Sequence, residues 1–143
     1  MEIPLIGQII LYIILALLGL ICIVIFPWQV SVLRGKSMKN PDGSTDDWHE
    51  QKLAYGIAFA DITIAVPLTV ISIVLTLLGL RIGYYLMGLA SLWFLWANVM
   101  TTVTSLRFER PKITLMWFIV FPLGAILGLA YIVWSLIYFQ QIF

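Results

Sequence analysis

The sequence has few charged residues, one cysteine and one histidine, and each scarcity excludes a class of function. Only 10% of its 143 residues are Asp, Glu, Lys or Arg, whereas soluble domains carry about 25%. A single thiol, Cys22, excludes an internal disulfide and a paired-cysteine redox centre. A single His49 excludes a bis-histidine haem within one chain, and we expect no cofactor. The net charge of +1 gives no basic excess that would favour nucleic acid.

Long uncharged runs fill most of the chain instead, and 62% of the residues are hydrophobic. A helix needs about 20 consecutive apolar residues to cross a bilayer. The runs therefore predict an all-α, four-transmembrane-helix bundle in the lipid bilayer, forming a single domain over residues 1–143. The expected spans are residues 3–33, 53–80, 82–106 and 113–139. The first run is too long for a signal peptide and lacks a basic start, so we expect it to be retained.

Proline and glycine residues lie within these runs and between them, and they indicate where helices end or bend. Pro27 and Trp28 are expected to end the first span, with the indole at the membrane interface. The second helix is expected to begin near residues 44–47 and to extend into the cytoplasm, because Ser44 and Asp47 fit a capping box. Pro67 cannot donate to the carbonyl of the fourth residue before it, so it should kink the second span. A tight reversal is predicted at residues 79–83.

Positive charges are distributed unevenly among the connections. The first and third connections, residues 34–52 and 107–112, hold Arg34, Lys36, Lys39, Lys52, Arg107, Arg110 and Lys112, and the second holds only Arg81. Cytoplasmic loops of membrane proteins carry an excess of Lys and Arg. We therefore expect both polar loops in the cytoplasm, both termini outside, and a location in the cytoplasmic (inner or plasma) membrane.

Asp61 is the one formally charged side chain inside a long apolar run. An ionised carboxylate in lipid is costly, so Asp61 should face inward and be partnered, or be protonated. At 100° per residue, small and polar residues of the second and third spans form matching faces. The predicted polar seam comprises Asp61, Ser72, Thr76, Asn98, Thr102, Ser105 and Arg107. Two interpretations stay open: a proton or cation site reached from the cytoplasm, or a structural link to third-span hydroxyls or Arg107.

Three other groups of residues suggest binding or packing. Asp46, His49 and Glu50 have the i, i+3, i+4 spacing of a weak metal site, although caps and ion pairs explain the same residues. Trp93 and Trp96 lie mid-span, where they either pack in the bundle or contact a hydrophobic ligand; Asn98 or a carbonyl freed by a proline is the expected acceptor for an indole N–H. Gly124 and Gly128 form a close-approach face for another span or a second protomer.

These features support three hypotheses of function. The first is a small channel-like or transporter-like bundle organised around Asp61. The second is a non-catalytic accessory or scaffold subunit, which would bind a larger membrane complex or form a homo-oligomer through Gly124, Gly128 and the charged loops. The third is a cytoplasmic-face enzyme acting on a lipid or phosphate, with His49 as base and Arg107 and Arg110 holding an anion.

Overall fold

The computed structural model describes residues 3–37, 48–109 and 111–143, and over these residues the chain is helical and has no strand. The all-helical prediction is therefore confirmed. Within the described ranges, three helices are long enough and apolar enough to cross a membrane, at Leu5–Leu33, Gln51–Leu77 and Arg81–Phe108. Their length and composition are compatible with a membrane location.

Helix α1 (Leu5–Leu33) continues through Pro27, so the expectation that this proline ends the helix is wrong. The end comes two turns later, at Gly35, whose φ of +84° is open to glycine at little cost. The N–H of Gly35 bonds to the Val32 carbonyl and the N–H of Lys36 bonds to the Ser31 carbonyl. This Schellman arrangement satisfies carbonyls that the last turn would otherwise leave free.

The second long helix has three parts: α2 (Trp48–Ala60), a π-helical turn (Asp61–Ala65) and α3 (Val66–Leu77). A second Schellman arrangement, with Gly79 at φ +72°, ends α3. Helix α4 (Arg81–Thr104) follows directly, and a π-helical turn (Ser105–Glu109) extends it. The predicted reversal at residues 79–83 is confirmed. Gly83 allows α3 and α4 to approach closely, because a β-carbon there would overlap the Thr76 and Leu75 backbone.

The last apolar stretch differs from the single span that its composition predicts. It forms α5 (Leu115–Val120), α6 (Pro122–Ile137) and the short α7 (Phe139–Ile142). The break lies at Phe121, because Pro122 has no N–H to donate and its ring blocks the carbonyl four residues earlier. Of these helices, α6 is the long one, and its glycine-bearing face packs against α4.

The apolar core lies where α1, α4 and α6 meet. Its buried residues are Leu11, Ile14, Leu15, Leu18, Cys22, Met87, Ala90, Phe94, Leu127, Tyr131, Trp134 and Ile142. Trp134 is only 3% exposed and donates its indole N–H to the Gly7 carbonyl at 2.8 Å. This bond joins α6 to α1, so Trp134 is part of the packed core.

The long helices alternate in direction, so the first and third connections lie at one end of the bundle and the second connection lies at the other. We call the end that carries the exposed Arg34, Lys36 and Arg107 the charged end, and the end that carries Gly79 the turn end. Large apolar side chains cover much of the outer surface between these two ends; Leu20, Ile71 and Leu92 are among those more than half exposed.

Candidate functional site

Asp61 lies at the meeting point of three helices, nearer to the charged end than to the turn end. It is the first residue of the π-helical turn and is partly buried. The Gln29 Nε2 atom of α1 donates to Asp61 Oδ2 at 2.6 Å, and the Trp93 Nε1 atom of α4 donates to Asp61 Oδ1 at 3.3 Å. Each carboxylate oxygen thus has its own N–H donor, and each donor comes from a different helix.

The π-helical turn sets the direction in which Asp61 points. The Val66 N–H bonds to the Asp61 carbonyl five residues back, and Pro67, which cannot donate, follows at the start of α3. One extra residue in a turn rotates the preceding helix by about 100° relative to the following one. Asp61 consequently leaves the line of the α3 hydroxyls and reaches α1 and α4. Single π-turns occur frequently at functional sites.

Asp61 has different partners from those that the sequence suggested. Arg107 is exposed, and the Thr101 and Thr102 hydroxyls bond back to their own helix, at Ala97 and Asn98. Trp93 likewise donates to the Asp61 carboxylate and not to Asn98 or a carbonyl freed by proline. Both described partners of Asp61 are neutral side chains, so the described residues bring no cationic group into direct contact with its carboxylate.

The seven residues of the predicted polar seam lie in separate places. Ser72 and Thr76 are buried between α3 and α4, and the Ser72 hydroxyl contacts the Met87 sulfur at 3.8 Å. Asn98 faces α6, since its side chain lies against Gly124. Ser105 faces α5 and accepts the Trp117 indole N–H at 3.0 Å. Thr102 bonds to its own helix, and Arg107 is exposed.

A buried polar column runs from Asp61 towards the turn end. It comprises Cys22 of α1, Thr69, Ser72 and Thr76 of α3, and Ser91 of α4, and each member is 0–4% exposed. The Cys22 thiol lies beside the Thr69 hydroxyl. Thr69 and Ser72 bond to backbone carbonyls of their own helix at 2.7 and 2.8 Å. Thr76 Oγ1 and Ser91 Oγ are buried and have no hydrogen-bond partner among the residues that the structure describes.

Gly124 and Gly128 are buried against α4 of the same chain. A β-carbon on Gly124 would lie 2.6 Å from Asn98 Cγ, and one on Gly128 would lie 3.0 Å from the Leu95 nitrogen. This face is therefore occupied within the chain, and the scaffold hypothesis cannot use it as a free surface.

The predicted ligand sites are only partly within the described structure. Asp46, Arg110 and the side chains of His49 and Glu50 lie outside the described residues, so the metal and enzyme hypotheses stay predictions. Among the described residues, no group of three or more His, Cys, Asp or Glu side chains could hold a metal ion. Trp96 lines a shallow apolar depression of about 370 Å³ on α4. A larger apolar groove of about 970 Å³ runs between α1 and α3.

Similarity gives no further guide to the site. Neither a family model, nor a curated protein, nor a solved structure matches this chain. The functional argument therefore depends on the contacts of Asp61 and of the polar column.

The sequence analysis missed Gln29, Cys22 and Thr69 as parts of this site. Gln29 carried a usable signal, since it is an amide near the charged end of a run without charges. Thr69 also carried a usable signal. It is four residues after Ala65 and three before Ser72, and this spacing places it on the same helix face as those two residues, both of which are buried. Nothing in the sequence pairs Gln29 or Trp93 with Asp61, which is 32 residues from each.

Proposed function

We propose that this chain is a small integral membrane protein that transports a cationic species, with Asp61 as the binding group. The observation that carries the proposal is the environment of Asp61: a carboxylate among apolar helices, held by Gln29 and Trp93, neither of which is charged. An ionisable group inside a membrane bundle is costly and marks an ion or proton pathway more often than a packing contact.

The proposal places Asp61 near the cytoplasmic face. The connections 34–52 and 107–112 hold seven of the eight Lys and Arg residues in the sequence, and the positive-inside rule assigns such connections to the cytoplasm. Helices α5 and α6 together make the fourth crossing, since residues 115–137 are long enough, at about 34 Å, to span the apolar layer. A proline-broken helix is tolerated in a membrane where neighbouring helices satisfy the backbone.

The contacts of Asp61 favour a binding role over a purely structural one. An Arg–Asp pair would lock two helices together and would leave no charge for a transported species to neutralise. Two neutral donors orient the carboxylate without cancelling its charge. A positive species arriving from the charged end would then supply the missing charge, and its departure would restore the starting state.

Transport measured in proteoliposomes tests this proposal. We expect Asp61→Asn to abolish flux while keeping the fold, because an asparagine oxygen still accepts from Trp93 and its NH₂ donates to a rotated Gln29 amide. The matched control is Thr63→Val, which lies in the same π-helical turn; the Thr63 side chain is exposed and bonds only to the Phe59 carbonyl of its own helix.

The control variant should transport as the parent protein does. If Asp61→Asn and Thr63→Val both retain parental flux of every cation tested, Asp61 is not a transport group. The protein would then be a packed bundle in which Asp61 only joins three helices.

A further inference from the structure

We propose that the cationic species bound by Asp61 is a single-chain amphiphile with a primary alkyl ammonium head, and that its hydrocarbon tail lies in the apolar groove between α1 and α3. This inference rests on the proposed function and names its substrate class. It depends on two observations: the described partners of the Asp61 carboxylate are neutral, and the carboxylate lies at one end of the groove.

The groove begins beside Asp61. Phe26 lines its α1 wall and lies three residues before Gln29, the donor to Asp61 Oδ2, so both residues lie on one side of α1. Val66 lines its α3 wall, and the Val66 N–H bonds to the Asp61 carbonyl. Both walls therefore end about one helical turn from the bond between Asp61 and Gln29.

The groove extends from this point towards the turn end. Its walls reach Tyr12 on α1 and Leu77 on α3. Fourteen residues separate Phe26 from Tyr12, which is a rise of about 21 Å along the helix. The volume of about 970 Å³ is near the upper limit for small-molecule sites, roughly 300–1,000 Å³. An elongated ligand lying parallel to the helices fits these dimensions.

The lining of the groove suits a hydrocarbon tail. The α3 wall consists of aliphatic side chains, namely Val66, Val70, Ile73, Val74 and Leu77. The α3 hydroxyls of the polar column are buried and do not line the groove. On α1, the small residues Ala16 and Gly19 leave room between the helices. The groove therefore offers apolar contact along its length, and Asp61 supplies the charge at its end.

The environment of Asp61 suits an ammonium head better than a divalent metal ion. Mg²⁺ and Ca²⁺ need several oxygen ligands directed at one point, whereas Gln29 and Trp93 direct N–H groups at the carboxylate. A carboxylate has about four lone-pair positions, so each oxygen can accept a further N–H from an ammonium. A proton also neutralises this carboxylate, so proton binding and ammonium binding at Asp61 exclude each other.

The direction of the groove matches that of an amphiphile in a bilayer leaflet. A charged head stays near the membrane interface, because its transfer to the bilayer centre is costly, and its tail stays in the apolar layer. Asp61 lies nearer to the charged end, and the groove runs from it towards the turn end. An amphiphile of the leaflet at the charged end can therefore enter the groove sideways without reversing its direction.

Charge distinguishes this ligand from other amphiphiles with the same tail. A phosphate, sulfate or carboxylate head would meet Asp61 as a like charge, and an alcohol would leave the carboxylate without a counter-ion. The tail does not discriminate among them, because each buried methylene contributes about the same free energy whatever the head group. Asp61 therefore determines the specificity, and the groove contributes most of the affinity.

The test measures ligand binding to the full chain in a neutral detergent by native mass spectrometry, which counts the ligands bound per chain. The probe is hexadecylamine, which is an ammonium ion at pH 7. We expect one bound probe per chain. Asp61→Asn should weaken binding about tenfold or more, because it removes a charged hydrogen-bond acceptor. Thr63→Val is the control and should bind the probe as the parent protein does.

A variant that fills the groove tests the position of the tail. Gly19→Leu should weaken binding about tenfold, the effect of displacing about two methylene groups. Its β-carbon would lie 3.4 Å from Ile73 Cδ1, an ordinary contact, so the helices should stay packed. The matched control is Gly88→Leu on α4, which does not line the groove and whose β-carbon would meet nothing within 4 Å. The melting temperature of each variant shows whether it is folded.

Two probes with the same tail test the role of the head. Hexadecanol and hexadecyl sulfate should bind more weakly than hexadecylamine, and Asp61→Asn should not weaken them further. If all three probes bind the parent equally, or if Asp61→Asn binds hexadecylamine as the parent does, the inference is wrong and the groove accepts any hydrocarbon chain. It is also wrong if the parent is a dimer that Gly19→Leu converts to a monomer, because the groove then holds a helix of a second copy.

Flux measured in vesicles separates this inference from the proposed function. If Na⁺, K⁺ or H⁺ flux depends on Asp61 and hexadecylamine binding does not, the substrate class is wrong and the transport function stands. If hexadecylamine binding depends on Asp61 and the flux of no cation does, hexadecylamine included, the binding site stands and the transport function fails. If neither binding nor flux depends on Asp61, both proposals fail.

Discussion

At the scale of single residues, the hydrogen bonds of Asp61 decide how the carboxylate can be used. The Gln29 bond, at 2.6 Å, is short for an N–H···O contact, and the Trp93 bond, at 3.3 Å, is long. A shorter charge-assisted bond is stronger. Gln29 is therefore expected to hold the carboxylate more firmly than Trp93 does.

This difference predicts the effects of removing each donor. Hydrogen bonds in membrane bundles average about 0.6 kcal/mol, and bonds to a charged group are stronger. Gln29→Leu should therefore lower the free energy of unfolding by about 1 kcal/mol or more, and Trp93→Phe by less. Unfolding in detergent, monitored by circular dichroism, measures both variants. The matched control is Gln8→Leu, since the Gln8 amide bonds to the Ile3 carbonyl of the neighbouring turn and not to Asp61.

A coupling measurement separates this contact from general packing. In the Asp61→Leu background the loss caused by Gln29→Leu should shrink, because the acceptor has already gone. An equal loss in both backgrounds would show that Gln29 stabilises the bundle by some route other than its bond to Asp61.

At the scale of the elements, the sequence predicts the helices better than it predicts their faces. Uncharged runs locate α1, α3 and α4, and Gly79 locates the turn between α3 and α4, because apolar length and positive φ have clear sequence signals. The π-helical turn has no such signal. It displaces Asp61 from the line of Ser72 and Thr76. A count of 100° per residue places all three residues on one helix face, but in the structure Asp61 lies on a different face from the other two.

The effect of each proline on its helix is equally difficult to predict from the sequence. Pro27 lies within a continuous helix, Pro67 follows a π-helical turn, and Pro122 begins a new helix after a break. A proline always removes one N–H, but the packing around it decides between these outcomes. This packing is a property of the folded chain and cannot be predicted from the residues next to the proline in the sequence.

The contact between α6 and α4 gives a prediction at this scale. Gly128→Ala should lower the free energy of unfolding by about 1–3 kcal/mol, the usual effect of overpacking, because its β-carbon would press on the Ser91 and Leu95 backbone. Gly88→Ala is the control, since a β-carbon there meets nothing within 4 Å. The two melting temperatures provide the comparison. Equal stability of the two variants would mean that α6 does not approach α4 as closely as described.

At the scale of the whole molecule, several hydroxyl groups are buried beside the apolar core, and large apolar side chains cover much of the outer surface between the two ends. The buried hydroxyls of Thr69, Ser72, Thr76 and Ser91 occupy the interior, whereas large aliphatic and aromatic side chains cover much of the surface. This arrangement suits a chain surrounded by lipid, where exposed polar atoms are costly. The composition predicts the apolar exterior. The buried partners of Asp61 depend on how separate helices align against one another. That alignment cannot be predicted from the pattern of a single sequence.

The most direct test of this account is an infrared pH titration of the full chain in lipid vesicles. The parent protein is compared with Asp61→Asn, so that the signals of the six remaining Asp and Glu residues cancel. The account predicts a protonated carboxyl band that grows as the pH falls, reverses as it rises, and is missing from Asp61→Asn. A carboxyl signal that is the same in both proteins at every pH would contradict it, because Asp61 would then never exchange a proton.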